Sequence, residues 1–205
     1  MKIFGIGMNY AAHNDELRVA NIDLEDPVVF TKADSALLSG NKPFFIPNYT
    51  QRCEYETELV VKICHLGRSI PERFAHRYYE EVTVGIDFTA RDLQERLRAE
   101  GKPWDLCKGF DGSAVVGDWV KVKDLGDVQD LHFHLDINGK TVQTGHTADM
   151  LHSVDRIVSY LSQYFMLKTG DLIFTGTPVG VGPVHIDDHL EGYLQGRKLL
   201  EFNVK

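Results

Sequence analysis

The segment Glu54-Tyr55-Glu56-Thr57-Glu58-Leu59-Val60-Val61-Lys62-Ile63 constrains this chain more than any other stretch. It reads as a strand, and side chains two apart on a strand share a face, so Glu54, Glu56 and Glu58 line up on one side. Three carboxylates in a row repel one another. Two readings follow. Either the acids decorate a wet strand end, or a hard divalent cation gathers them, since Mg²⁺, Mn²⁺ and Ca²⁺ take oxygen ligands.

Apolar alternation and β-branched clusters predict further strands near residues 2–6, 28–32, 56–64, 82–88, 114–122, 131–137, 171–175 and 197–204. Asn138-Gly139 is a hairpin turn that joins 131–137 to Lys140-Thr141-Val142-Gln143. Leu151, Val154, Ile157, Val158, Leu161 and Phe165 form one apolar helical stripe, with Thr147 or Asp149 to cap its start. Helices are also expected over Ala90 to Glu100, ended by Gly101 and Pro103, over Ala11 to Val19, and over Pro71 to Tyr79. Strands outnumber helices and do not alternate regularly with them. That opposes a doubly wound or α/β-barrel plan and predicts a β-rich α+β fold.

A length of 205 residues predicts one domain, 1–205. The net charge of −8 argues against nucleic acid as a partner, because phosphate binding is driven by Lys and Arg. No apolar run reaches the roughly 18 residues of a membrane span, and the first residues turn polar too soon for a signal peptide. Cys53, Cys64 and Cys107 are widely spaced and odd in number, which opposes a disulfide framework and sets a cytoplasmic expectation.

Several segments combine residue types that do chemistry. Asp87 ends an apolar strand just before a helix, as a metal ligand or as a turn residue. Arg91 and Gln94 fall three apart on that helix and share a face. Lys108 sits in a Gly-punctuated apolar stretch, either snorkelling to water or held near a developing anion. His13 and Glu16 have the spacing of a carboxylate-oriented general base if their segment is helical. The loop Gly176-Thr177-Pro178-Val179-Gly180 lacks the ending of a phosphate-binding loop, but its backbone N–H groups could hold a carboxylate. His132 and His134 share a strand face without an evident third ligand, and His185, Asp187, Asp188 and His189 read as a solvated loop.

Taken in order, Asn9-Tyr10-Ala11-Ala12-His13-Asn14-Asp15-Glu16, Glu56-Thr57-Glu58-Leu59, Asp87-Phe88-Thr89-Ala90-Arg91-Asp92-Leu93-Gln94, Lys108-Gly109-Phe110-Asp111 and the 176–183 loop resemble the fumarylacetoacetate hydrolase family. The match runs over nearly the whole chain and is nearest the small acylpyruvate hydrolase and oxaloacetate decarboxylase type. The resemblance implies a mixed β-sheet roll with a few flanking helices, in a homodimer. It implies Mg²⁺ or Mn²⁺ (with Ca²⁺ as a further hard cation) on Glu56, Glu58 and Asp87, with Glu54 outside the set. It makes His13, Glu16 and Lys108 catalytic, on the analogy that the His13–Glu16 segment closes over substrate. Arg91, Gln94, Lys32 and Thr177 fall to substrate binding. Two positions depart from the pattern: Ala33 stands where relatives commonly carry proline, and Gly109 intervenes after Lys108.

The implied substrate is a small anionic 2-oxo acid. The expected reaction is cleavage of its C3–C4 bond, by acylpyruvate hydrolysis or oxaloacetate decarboxylation, through a stabilised enolate. Hydrolysis requires water activated by His13 with Glu16; decarboxylation requires no nucleophile. The alternatives are isomerisation or tautomerisation of enolisable 2-oxo diacids, and noncatalytic binding of 2-oxo acids.

Overall fold

A computed structural model of the protein describes residues 1–11 and 25–205. Its framework is a mixed sheet whose strands run, in spatial order, Val28–Lys32, Ile3–Gly7, Leu172–Phe174, Thr57–Ile63, Tyr79–Asp87, Ala114–Val116 and Leu37–Leu38. Val120–Lys121 also pairs with Tyr79–Asp87. Ile3–Gly7 with Leu172–Phe174 and Leu37–Leu38 with Ala114–Val116 are parallel; the other pairs in this sheet are antiparallel.

The central strand explains its own composition. Leu59 and Val61 point into the large core with Val82, Val84 and Ile86, while Val60 points to the opposite face with Ile3, Leu172 and Phe174. A strand covered on both faces has no polar alternation, hence the run from Leu59 to Val61. Gly85 lies opposite Glu58, and a Cβ there would stand 2.6 Å from Val60 Cγ2 and 2.7 Å from Val115 O. Only glycine lets the strands close at this point.

A second, antiparallel sheet orders Lys140–His146, His132–Ile137, His189–Leu194 and Arg197–Asn203. It contributes Phe133, Leu135, Leu190, Leu194, Leu200 and Phe202 to the same core. Its expected turn is present: Asn138 and Gly139 have φ of 54° and 75°, the left-handed pair that a twisted hairpin requires. A small third sheet, Gly182–Pro183, Cys53–Tyr55 and Thr89–Ala90, lies beside the functional residues.

Three α-helices flank the sheets among the described residues: α1 (Arg91–Ala99), α2 (Asp105–Lys108) and α3 (Val154–Tyr164). The apolar stripe of α3 is shorter than expected. Val154, Ile157, Val158 and Leu161 are buried, but Leu151 and Phe165 are exposed and lie outside the helix. Its cap is Ser153, whose hydroxyl accepts from the Arg156 N–H at 3.1 Å; Thr147–Asp149 form a separate 3₁₀ turn. The 71–79 segment is likewise 3₁₀, over Glu72–Arg77. The strand expected over 114–122 breaks because Gly117 and Asp118 send their N–H groups to Val84 O and Leu199 O. No helix among the described residues is long and apolar enough to cross a membrane. The expected helix over Ala11 to Val19 falls largely outside the described residues.

Candidate active site

Two neighbouring strands bring the acids together. Asp87 closes Tyr79–Asp87, and its N–H donates to Glu56 O at 2.8 Å. Glu56 itself stands in a break between Cys53–Tyr55 and Thr57–Ile63. The break alters the period-two expectation: Glu54 turns to Arg91 and Arg52, while Glu56 and Glu58 converge with Asp87. One carboxylate oxygen from each of Glu56, Glu58 and Asp87 lies within 4.8 Å of the other two, and all three residues are buried.

The cations are arranged around this trio. Lys108 ends α2, and its Nζ donates to Glu56 Oε2 at 2.6 Å and Asp87 Oδ2 at 2.8 Å, above the Phe30 ring. Burial pulls the Lys108 pKa down, but Asp87 and Glu56 outweigh it and the net shift is upward, so the ammonium keeps its proton. Lys32 approaches Asp87 Oδ1 at 2.5 Å from behind and also donates to Ser113 Oγ and the Lys108 carbonyl. Burial, set against Asp87, lowers its pKa.

Arg91 uses all three arms of its guanidinium: Nε to Glu54 Oε2 at 2.6 Å, Nη2 to Glu56 Oε1 at 2.6 Å and Nη1 to Gln94 Oε1 at 2.5 Å. Lys32 and Arg91, which the resemblance assigns to substrate, are ion-paired with Asp87 and with Glu54 and Glu56, and Arg91 also lines the cleft.

Glu58 accepts the Gly176 N–H at 2.7 Å. Gly176 has φ of +102°, and a Cβ there would lie 2.7 Å from Asn9 Cβ, so the loop needs glycine to aim this amide. Thr177 lines the cleft, but its hydroxyl is engaged, donating to Thr57 O at 2.9 Å and accepting from Gln143 Nε2 at 2.8 Å. Asn9 is fully buried and clamps this corner: its Nδ2 donates to Thr175 O and His152 O, and its Oδ1 accepts from His152 N–H. Sequence reasoning missed Asn9, Gln143 and Ser113 as positioning residues; Asn9 opens the N-terminal motif and was the one with a signal.

Both departures from the family pattern are accommodated. Ala33 has φ of −62°, the value proline imposes. Gly109 N–H closes the last turn of α2 onto Asp105 O at 2.7 Å. His132 and His134 do not act as a pair: His132 stacks on His146 and His134 on Tyr193. Asp130 and His146 do lie beside His132, a neighbourhood not visible from spacing. Of the 185–189 cluster, His189 starts a strand instead of lying in a loop. His13 and Glu16 lie outside the described residues.

The cleft over the trio is narrow, about 40 Å³, and is lined by Glu56, Glu58, Gln94, Arg98, Trp104 and Lys108 among others. A larger groove of about 540 Å³ lies along the Leu93 and Arg96 side of α1, with Tyr49, Leu106 and Phe110. It has no converging carboxylates, so chemistry selects the smaller cleft.

The residues fit a divalent cation. Three buried carboxylate oxygens within 4.8 Å of one another converge as ligands of one cation would, and burial, then Asp87 and Glu56, hold Glu58 well above the usual carboxylate range. An all-oxygen donor set suits Mg²⁺ or Mn²⁺ better than soft metals.

The raised Glu58 pKa also predicts a pH effect in chelator-treated protein. Below about pH 4, Glu58 is protonated folded and unfolded and costs nothing. As pH rises, the unfolded chain releases the proton first, and stability is lost until the folded pKa is passed. Glu58→Gln has no such loss, so its stability relative to wild type should grow from pH 4 to pH 8. Denaturant unfolding at both pH values measures it; a constant difference would contradict the electrostatic reading of this site.

A profile of the fumarylacetoacetate (FAA) hydrolase C-terminal family matches residues 2–205. Mouse mitochondrial oxaloacetate tautomerase FAHD1 is 38% identical over 200 residues, 98% of this chain and 90% of that protein. Fumarylpyruvate hydrolase from Pseudomonas aeruginosa, solved in complex with Mn²⁺ and pyruvate, superposes with a TM-score of 0.92 at 34% identity, covering 100% of this chain and 89% of that one. For 2-hydroxyhepta-2,4-diene-1,7-dioate isomerase from Mycobacterium marinum the TM-score is 0.85 at 32% identity, with 99% of this chain and 73% of that one covered.

Proposed function

The chain belongs to the fumarylacetoacetate hydrolase family, and on that premise we propose that it is a divalent-metal-dependent enzyme of enolisable 2-oxo acids whose main reaction is the keto–enol tautomerisation of oxaloacetate. The observation that carries this reading is Lys108 donating to Glu56 and Asp87 in a cleft where these two carboxylates converge with Glu58. Glu56, Glu58 and Asp87 would hold Mg²⁺ or Mn²⁺, which when bound supplies Lewis-acid polarisation of the 2-keto oxygen. The relatives support the substrate class, since mouse FAHD1 is an oxaloacetate tautomerase.

The protein's own groups have definite tasks. Tautomerisation removes a proton from C3 and places one on the oxygen at C2, with no C–C bond broken and no water consumed. Lys108 keeps its proton, so it is a fixed positive charge and hydrogen-bond donor for that oxygen as negative charge develops there. Lys32 and Arg91 stay locked on Asp87 and Glu56 and keep two of the three carboxylates from turning away. Phe30 and Trp104 wall the cleft and reduce its water, which strengthens each of these electrostatic contacts.

Hydrolysis of acylpyruvates is the second reading. Pyruvate is the keto acid such cleavage releases, and it is bound in the Pseudomonas aeruginosa fumarylpyruvate hydrolase. Oxaloacetate decarboxylation shares the same enolate. One assay separates the three: with Mg²⁺ present, enol absorbance, CO₂ release and acylpyruvate cleavage are followed independently. Enol–keto exchange of oxaloacetate no faster than the Mg²⁺ blank removes the tautomerase reading.

Lys108→Met tests the lysine. Loss of one preorganised charge should lower kcat by about 10²–10³-fold. Mn²⁺ affinity should not fall, because the substitution removes a competing cation from Glu56 and Asp87. A kcat near wild type at saturating substrate would make Lys108 a structural counter-ion only.

A further inference from the structure

We infer that Arg98 is the specificity-determining residue that binds the distal carboxylate of the substrate, so that the cleft selects 2-oxo diacids over 2-oxo monoacids; the inference rests on the functional reading above. Arg98 follows Gln94 by four residues and Arg91 by seven on α1, positions that fall on one helix face. It lines the same cleft as Glu56, Glu58 and Lys108, a cleft that Trp104 also lines.

Its difference from the other cations of the site is that it has no carboxylate partner among the described residues. Lys32 is committed to Asp87, Lys108 to Glu56 and Asp87, and Arg91 to Glu54 and Glu56. Arg98 makes no ion pair among the described residues, and its side chain is exposed at the cleft.

Charge balance points the same way. Glu54, Glu56, Glu58, Asp87 and Glu95 bring five negative charges, and Lys32, Arg52, Arg91 and Lys108 offset four of them. A divalent cation offsets the fifth and leaves one positive charge, which the carboxylate beside the keto group neutralises. Arg98 then adds a positive charge that a monoacid leaves unmatched and a dianion matches. The cleft's volume of about 40 Å³ holds a cation and a water or two, so the far end of a four-carbon diacid extends toward the side walls where Arg98 stands. A planar guanidinium there can take a carboxylate through two parallel hydrogen bonds, which an ammonium cannot.

The test compares wild type with Arg98→Met and Arg98→Lys. Malate serves as a non-enolising probe that carries a distal carboxylate, and oxalate as a chelating probe with none beyond the chelate. In Mg²⁺-loaded protein, calorimetry should show malate binding weakened by about 10–100-fold in Arg98→Met, the worth of a charge-assisted hydrogen bond, with oxalate affinity changed far less. Arg98→Lys should recover part of the malate loss. In turnover, the ratio of kcat/KM for oxaloacetate to that for acetylpyruvate should drop by a similar factor, chiefly through KM. Equal malate affinity in wild type and Arg98→Met, or no malate binding by the wild type, overturns the assignment whatever the enzyme turns over. Conversely, malate binding that depends on Arg98 in a protein with no oxaloacetate tautomerase activity keeps the carboxylate site and removes the reaction proposed above.

Discussion

Replacing Glu58 by Gln is expected to reduce turnover by about 10³-fold or more, because it takes away one of the three carboxylates proposed to hold the cation and with it several kcal/mol of charge stabilisation. The substitution is a cleaner test than one at Asp87 or Glu56. Asp87 neutralises both Lys32 and Lys108, and Glu56 neutralises Lys108 and Arg91, so removing either strands a buried cation. Among the described residues the hydrogen-bond partner of Glu58 is the Gly176 amide, which the Gln side-chain oxygen can still satisfy. The variant should therefore fold and, without metal at neutral pH, be more stable than wild type while binding Mn²⁺ far more weakly. Opposite signs on stability and activity are the mark of a carboxylate kept for function, since its burial beside two like charges opposes folding. Mn²⁺ titration by calorimetry and steady-state turnover of oxaloacetate together decide it. Wild-type Mn²⁺ affinity in Glu58→Gln would end the three-carboxylate assignment.

The parts of the fold written in the sequence are those with a long local signal. The run Leu59-Val60-Val61 announces a strand buried on both faces, and Asn138-Gly139 announces its turn through a backbone conformation few other pairs adopt. Strands such as Leu37–Leu38, Thr89–Ala90 and Gly182–Pro183 were not legible, because two residues carry no periodicity and pair only after distant segments meet. The second hairpin, His189–Leu194 with Arg197–Asn203, was half seen: Gln195-Gly196 turns it with φ of 49° and 73°, but glutamine is not a residue that signals such a turn.

The candidate site divides along the same line. Residue type and order identified Glu56, Glu58, Asp87 and Lys108 through the family resemblance, and these are the residues that converge. Period two also suggested Glu54 on the same face, and it failed because the strand breaks at Glu56. What local sequence does not encode is which cation spends itself on which carboxylate. Lys32 and Arg91 are engaged with Asp87, Glu54 and Glu56 through long-range packing, and among the described residues Arg98 is a cation lining the cleft with no carboxylate partner. Such assignments depend on contacts such as Lys32 with Ser113 and Arg91 with Glu54, tens of residues apart.

His13→Ala separates the two reactions that share the enolate. Acylpyruvate hydrolysis must make a nucleophile from water, whose proton is far less acidic than the C3 proton of a 2-oxo diacid, flanked by a keto group and a carboxyl carbon. The family resemblance assigns that task to His13, with Glu16 three residues on, and removal of the imidazole should lower hydrolysis by about 10²–10⁴-fold, the usual worth of a general base. Tautomerisation of oxaloacetate should fall less, because solvent can serve the weaker demand while Lys108 still faces the oxygen at C2. Glu16→Gln should follow the same pattern with a smaller loss, since it leaves the imidazole in place and weakens only its orientation and basicity. The measurement is the ratio of acetylpyruvate hydrolysis to oxaloacetate enol–keto exchange in each variant with Mg²⁺ saturating. A fall confined to hydrolysis makes His13 the water-activating base. Equal falls make it the C3 base as well, and the tautomerase then owes its rate to the same imidazole. Undiminished hydrolysis in His13→Ala excludes the His13–Glu16 pair from the chemistry and leaves proton transfer to solvent.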